Sequence, residues 1–321
     1  MAVRSLLFLL AAWALLRELD GLRGEALLRQ LQSYEPRRVA LALACTAASF
    51  LVLGAVEELA LRYTGHARTV SRRTAWVTAF VAHAFTQSVG LALLTGAAVR
   101  VRAYSRHAMD AIAVARISAF VTLTVTLGLL ATGAGAMLAS SAPLRVAGVL
   151  VPARSVGSTL ALVVAAYVAW SALGKRDVLG RGRWRIERPS PLMAGGQLLF
   201  AALDWILSGT VLYALLPASA GLGYVELLRV YLVAQTAGMA SHIPGGAGVF
   251  EVVVLTLAAG GGVERHAALV ASLVMFRVAY YLVPLVIAGL VAAVAELRPP
   301  REEIADFPMS ELHATQPAHV R

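Results

Sequence analysis

The chain has 321 residues, 59% of them hydrophobic and 14% charged, with a formal net charge of +10. A soluble domain carries about 25% charged residues, so this composition points to an all-α, polytopic membrane protein. The basic residues stand in short clusters between apolar runs, as in cytoplasmic loops, and no soluble basic face for nucleic acid is present. The single cysteine, Cys45, excludes an intrachain disulfide and a cysteine-based metal site.

Residues 5–16 form an apolar run behind Arg4 that resembles a signal peptide, but Arg17-Glu18-Leu19-Asp20 follows in place of a small-residue cleavage site. A short first span, with ends that snorkel as far as Leu19, is expected here. Residues 24–34 alternate charge with leucine at helical spacing, the pattern of an interfacial helix. Residues 39–61 make the second span, which closes on Glu57 and Glu58 before a loop holding Arg62, Arg68, Arg72 and Arg73. Residues 75–95 are apolar but carry His83, Thr86, Gln87, Ser88 and Gly90, and end at Gly96 ahead of Arg100, Arg102 and Arg106. Residues 111–138 span, with Arg116 in the second turn. A short, mostly apolar loop at 144–151 lies between Pro143 and Pro152, and 156–173 span again. The most basic loop follows, with Lys175, Arg176, Arg181, Arg183, Arg185 and Arg188. Residues 192–216 span with Asp204 near the middle, and 267–295 form the last span with Arg277 near its centre. The polar tail from Arg298 holds four prolines and is expected to be disordered. This gives a transmembrane domain, 1–297, and a cytoplasmic tail, 298–321.

Between the last two spans, residues 242–251 read His-Ile-Pro-Gly-Gly-Ala-Gly-Val-Phe-Glu, with apolar sequence on both sides. Proline lacks the donor N–H and paired glycines lose the most backbone entropy, so no helix runs through 243–246. One helix is expected to stop near Ser241 and another to start near Ala247, with Glu251 in its first turns. The break is either a tight interfacial loop or a broken helix at membrane depth, which lipid tolerates only inside protein or beside a water-filled cavity. Transporters build binding sites from such broken helices.

The basic loops set the orientation. With 62–73 and 175–188 in the cytoplasm, residues 75–95 enter and leave on that side as a re-entrant hairpin, and 224–259 re-enter from outside. Each half then has a span, a polar re-entrant stretch ending in glycine, a charged residue, and a span with a buried arginine. These are Gly96, Arg100 and Arg116 in the first half, and Gly245/Gly246, Glu251 and Arg277 in the second. The halves enter from opposite sides, as in inverted-repeat transporters.

Glu57, Asp204, Glu251 and Arg277, with Arg116, lie in or near spans, where each charge costs about 2.5–3.5 kcal/mol on insertion scales. They are either packing ion pairs, Glu251 with Arg277 and Asp204 with some arginine, or the lining of a polar path for a charged head group. His242 has no second histidine one helical turn away, so a hydrogen bond to the broken backbone is expected and a metal is not. No nucleophile elbow, P-loop or zinc motif is present. The N–H groups of Gly245-Gly246-Ala247-Gly248 open a helix and suit a lipid phosphate.

The 242–251 block, continued by Val-Val-Val-Leu, resembles the signature of the lysylphosphatidylglycerol synthase transmembrane family, which includes the membrane half of the bacterial multiple peptide resistance factor. Three further blocks agree in order: Leu94-Thr-Gly-Ala-Ala-Val-Arg100-Val-Arg102-Ala-Tyr104-Ser105 with Ala115-Arg116-Ile117; Phe276-Arg277-Val-Ala-Tyr280-Tyr281-Leu-Val-Pro284; and, more weakly, Glu57-Glu-Leu-Ala-Leu-Arg-Tyr63, where the family more often has Tyr-Asp and this chain has Val56-Glu57. The resemblance covers roughly residues 1–297. It implies a flippase-like domain of the bacterial inner membrane that moves aminoacylated phosphatidylglycerol to the outer leaflet, a route to resistance against cationic antimicrobial peptides. The full-length resistance factor continues into an aminoacyl-transferase domain, whereas this chain ends about two dozen residues after its last span, so no enzyme activity is expected.

The leading expectation is therefore a translocase of anionic or aminoacylated phosphatidylglycerol. The head group is expected to be bound by Glu57, Arg100, Arg102, Arg116, Asp204, His242, Gly245, Gly246, Glu251 and Arg277, with no cofactor, metal or catalytic residue. Arginine suits phosphate by bidentate bonding, and a carboxylate suits an aminoacyl amine. The candidate protein partners are a second copy of the chain or a separate synthase. The alternatives are a non-transporting subunit that docks a lipid-modifying or cell-envelope enzyme and, third, a synthase-type enzyme, which the missing catalytic constellation disfavours.

Overall fold

In the computed structural model the described residues are 34–297, apart from 90–91, 108, 141, 147–148, 175–177, 180–185, 218–219 and 259–261. The expected first span, the tail, and all of the expected interfacial helix except Tyr34 lie outside them. Helix α1 (Pro36–Tyr63) starts on a proline, whose fixed φ suits a first turn and whose missing N–H is not needed there. Its 28 residues reach about 42 Å at 1.5 Å per residue, enough to cross a bilayer. Helices α2 (Arg72–Val89) and α3 (Ala92–Tyr104) pack on each other as a hairpin. Helix α4 (Ala111–Leu138) is capped by Asp110, whose carboxylate accepts the Ala113 N–H at 2.7 Å. Helix α5 (Ala153–Leu173) and helix α6 (Pro191–Leu215) follow, α6 capped by Ser190. Helices α7 (Tyr224–Ala240) and α8 (Val249–Ala258) make a second hairpin. Helix α9 (Gly262–Phe276), a π-helical turn (Arg277–Leu282) and helix α10 (Val283–Leu297) run on as one rod.

Among the described residues five stretches are long and apolar enough to cross a membrane: α1, α4, α5, α6 and Ala268–Val294. The arms of the two hairpins are not among them, as expected for re-entrant segments. The expected apolar loop at 144–151 is a small β-hairpin, β1 (Leu144–Val146) paired antiparallel with β2 (Val149–Val151). A second small pair, β3 (Val178–Leu179) with β4 (Ile186–Glu187), lies in the basic loop.

Contacts between loops fix which ends lie together. Tyr63 at the end of α1 donates to the Glu187 carbonyl, and Tyr104 at the end of α3 reaches Glu57. The loops after α1 and α3 and the loop before α6 therefore share one arginine-rich end. At the other end Arg38 donates to the Leu216 carbonyl, and Arg229 of α7 to the Ala142 carbonyl. The α2–α3 hairpin thus enters from the arginine-rich end and the α7–α8 hairpin from the opposite one. Arginine bias assigns the first end to the cytoplasm.

The order of span, hairpin and span occurs twice, as α1, α2–α3, α4 and as α6, α7–α8, α9–α10, with α5 between. The first spans of the two halves pack together at the centre. Helices α4 and α6 touch backbone to backbone: a Cβ on Gly128 would stand 2.4 Å from that of Ala201, the close approach that small residues permit in membranes. Rings from Phe80 through Phe50, Tyr280 and Phe276 to Phe250 and Tyr231 run in contact through the core.

Two expectations change. Helix α2 ends at Val89 and α3 starts at Ala92, so the hairpin expected at 75–95 extends to Tyr104 and Gly96 lies inside α3. Arg100 is consequently not in a cytoplasmic loop but buried within α3. Gly96 is there for close approach: a Cβ would stand 2.9 Å from Thr86 Oγ1 and 3.1 Å from Arg100 Nη1.

Candidate functional site

The second hairpin breaks where Pro244-Gly245-Gly246 was expected to break it. Helix α7 ends at Ala240 and α8 starts at Val249, with a single 3₁₀ turn between. His242, Gly245, Gly246 and Gly248 have φ of 55°, 61°, 61° and 84°, so the chain reverses through left-handed residues. Glu251 is the third residue of α8 and its Oε2 accepts the Gly248 N–H at 2.7 Å, half of a capping box. Its Oε1 accepts from Arg277 Nε at 2.7 Å. Arg277 Nη1 donates to the Gly245 carbonyl at 2.6 Å, and the guanidinium lies over the Tyr281 ring, 4.5 Å from its centroid. One arginine from the last span thus holds both sides of the break.

The two hairpins meet at their tips. A Cβ on Gly245 would stand 3.3 Å from the Ser88 carbonyl oxygen, 3.4 Å from that of Gln87 and 3.5 Å from Arg277 Nη1. Arg277 therefore sits beside the C-terminal end of α2, where the helix dipole favours a cation. On α2, His83 Nε2, Gln87 Oε1 and Ser88 Oγ are buried without a hydrogen-bond partner among the described residues. Buried polar atoms are almost always satisfied, so three together near one junction suit a polar guest or water.

A second ion pair lies behind this tip. Arg100 Nε is 2.8 Å and 3.1 Å from the two Glu57 oxygens, and Nη2 is 2.6 Å from Oε2. Tyr104, one turn along α3, donates to Oε1 at 2.8 Å. Both charges stand out in the sequence, but nothing there pairs them, and Tyr104 carries no signal of its contact.

Asp204 is buried, and no arginine among the described residues pairs with it, so the packing ion pair that was one reading of this acid is not formed there. Its Oδ1 accepts from Ser49 Oγ at 2.5 Å, and Ser49 Oγ is 3.0 Å from Tyr280 Oη. Hydroxyls in apolar runs carry no sequence signal that would have found this group. A further buried network, Tyr167 to Gln197 to Thr124, ties α5, α6 and α4.

Of the other sequence candidates, Gly245, Gly246, Glu251 and Arg277 come together at the break, and Glu57 and Arg100 in the pair behind it. His242 is exposed, with Nδ1 2.9 Å from the Ala240 carbonyl, the expected backbone contact. Arg102 is exposed on α3. Arg116 is half-buried near Tyr63 and is not a counterpart of the buried Arg277.

No family model matches the chain. It is 32% identical over 307 residues to the uncharacterized protein slr0712 of Synechocystis, covering 94% of this chain and 93% of that one. It is 29% identical over 255 residues to the inner membrane protein YbhN of Escherichia coli, covering 78% of each. A shorter stretch of 104 residues is 32% identical to the phosphatidylglycerol lysyltransferase of Staphylococcus haemolyticus, 32% of this chain but 12% of that enzyme. The chain is a multi-pass helical protein of the inner membrane, and it belongs to the lysylphosphatidylglycerol synthase transmembrane family.

Proposed function

We propose that this protein moves a phospholipid between leaflets without chemically changing it, the head group crossing at the junction of the two hairpin tips while the acyl chains stay in lipid. The observation that carries this reading is the junction itself. Two re-entrant hairpins from opposite ends meet there, at Gly245 and Ser88, amid buried polar atoms without partners among the described residues and a Glu–Arg pair. Such irregular backbone at depth belongs beside a cavity. Arg277 offers a phosphate a planar donor fork, and Glu251 offers a carboxylate to an amine. An anionic or aminoacylated phosphatidylglycerol fits both, in keeping with the similarity to a staphylococcal phosphatidylglycerol lysyltransferase.

The test is leaflet exchange of labelled phosphatidylglycerol, and of a head-group panel including aminoacylated forms, in liposomes holding the purified protein. Exchange faster than in empty liposomes is expected. Equal rates across the panel would sink translocation and leave a subunit that docks a separate enzyme.

A further inference from the structure

Of the three acids that the sequence places in or beside the spans, two are held by arginine: Glu57 by Arg100, and Glu251 by Arg277. Asp204 is the third, near the middle of α6, and no ion pair among the described residues includes it. We infer that Asp204 is a proton-binding site that controls the second hairpin. This reading takes its use from the translocase function proposed above, but its chemistry is independent of that function.

The elements packed against α6 decide what faces this carboxyl. Helix α1 gives Ser49, the π-helical turn gives Tyr280, α7 gives Tyr231, and α6 itself gives Ser208 one turn on. Helix α4 brings Thr132 to the Ala202 carbonyl, and its only charge, Arg116, lies near Tyr63 at the arginine-rich end. The only charge of α5, Arg154, is in its first turn. Helix α9 brings Ser272 to the Leu215 carbonyl, and its charged residues lie in its first two turns. Asp204 thus faces hydroxyls alone. A carboxylate in such a place is neutralised by taking up one proton to become the acid, and returns to the carboxylate by releasing it; no other bond changes. Intramembrane acids of this kind mark proton relays.

The hydrogen-bond chain gives the proton a mechanical consequence. Each hydroxyl has one hydrogen to donate. With Asp204 ionised, Ser49 donates to it and Tyr280 donates to Ser49. With Asp204 protonated, the acid donates to Ser49 and the chain reverses. Tyr280 stands in the same π-helical turn as Arg277, which holds Gly245 and Glu251, and as Tyr281, whose Oη accepts from Gln235 of α7. π-Helical turns inside α-helices occur frequently at functional sites. This one joins Asp204 to both arms of the second hairpin.

The full chain in lipid nanodiscs tests this in two ways. Infrared spectra across a pH series should show a protonated-carboxyl band that is lost on alkalisation and is missing in Asp204→Asn. Amide exchange of the 238–251 segment, corrected for intrinsic pH dependence, should change several-fold over the same pH range in the native protein and stay flat in Asp204→Asn. If Asp204→Asn does not fold, Ser49→Ala keeps the acid but removes its donor, and should displace the pH at which the band is lost. The inference is overturned by a native spectrum without the band, by exchange that is flat in the native protein or pH-dependent in Asp204→Asn, or by a Ser49→Ala titration that matches the native one. A protein that titrates at Asp204 but moves no labelled phosphatidylglycerol removes translocation and leaves the proton site standing.

Discussion

The two ion pairs of the hairpins use the same chemistry in opposite ways. Glu57 and Arg100 are 0% and 5% exposed, and three nitrogen–oxygen contacts and a tyrosine hydroxyl fill the carboxylate. Glu251 is 27% exposed, meets Arg277 through Nε, and spends its other oxygen on the backbone of its own break. The acid is on the span and the arginine on the hairpin in the first half, and the reverse in the second. The repeat is therefore one of helices and not of sites. The first pair locks a hairpin to a span, with every acceptor engaged. The second closes a break whose own carbonyl and N–H complete the contacts, and its half-buried carboxylate stays accessible, as the proposed exchange with a head group requires.

The largest effect that breaks this comparison is expected at the locked pair. Glu57→Gln leaves Arg100 buried without its counter-charge, which costs about 3–5 kcal/mol. Folded protein in the membrane should fall sharply, and Glu57→Gln with Arg100→Gln should recover most of it. Native abundance of the single variant would show that the pair does not hold the hairpin. Glu251→Gln should behave otherwise. Glutamine keeps an oxygen for the Gly248 N–H, so the variant should fold to native yield, lose lipid exchange, and stay inactive when combined with Arg277→Gln. Recovery in that double variant would reduce the second pair to charge balance, and native exchange in Glu251→Gln would remove its functional role.

The contrast also explains what the sequence could and could not disclose. The break at 243–246 was legible because proline and glycine act locally, and Glu251 with Arg277 because charges in apolar runs are conspicuous. The helical bundle was legible from the apolar runs alone. The partnership of Glu57 with Arg100 was not, since the residues are 43 apart and Arg100 follows the glycine expected to close the re-entrant stretch, where the sequence reads as a loop but α3 continues. Gly96 admits the Arg100 guanidinium, and a glycine chosen for space reads in sequence like one chosen for a turn. The Asp204 site was half legible: the acid stood out, but Ser49 and Tyr280 are ordinary residues that only the packing of α1, α6 and the π-helical turn brings together.

The two glycine-bearing hairpins sharpen the comparison at lower energy. Gly246 has a φ of 61°, and a Cβ there would stand 3.0 Å from Gly238 Cα, a backbone atom that cannot yield. Gly246→Ala should cost at least the roughly 1–2 kcal/mol of a left-handed L residue. Gly96→Ala meets the ends of the Thr86 and Arg100 side chains, which can shift, so its loss should be smaller. Thermal unfolding of both variants in detergent should rank Gly246→Ala as the less stable. The reverse order would mean that the tight point of the fold is the locked pair and not the break.

The smallest effect is expected at His242, which among the described residues is the one non-glycine with positive φ, at 55°. Its substitution by glycine removes a left-handed strain of about 1 kcal/mol. Against this, glycine adds about 0.5–1 kcal/mol of unfolded-chain entropy, and the exposed contact from Nδ1 to the Ala240 carbonyl is lost. These terms nearly cancel, so His242→Gly should unfold within about 0.5 kcal/mol of the native protein. His242→Val has no such offset: it keeps the positive φ, is β-branched, and loses the same hydrogen bond, so it should be destabilised by more than about 1 kcal/mol. The lost hydrogen bond cancels in the difference between the two variants, which reads backbone strain less the entropy that glycine adds. A His242→Gly loss as large as that of His242→Val would place the stabilisation in the imidazole and not in the turn, and the break would then depend on a side chain that the sequence marks only as a histidine beside a proline.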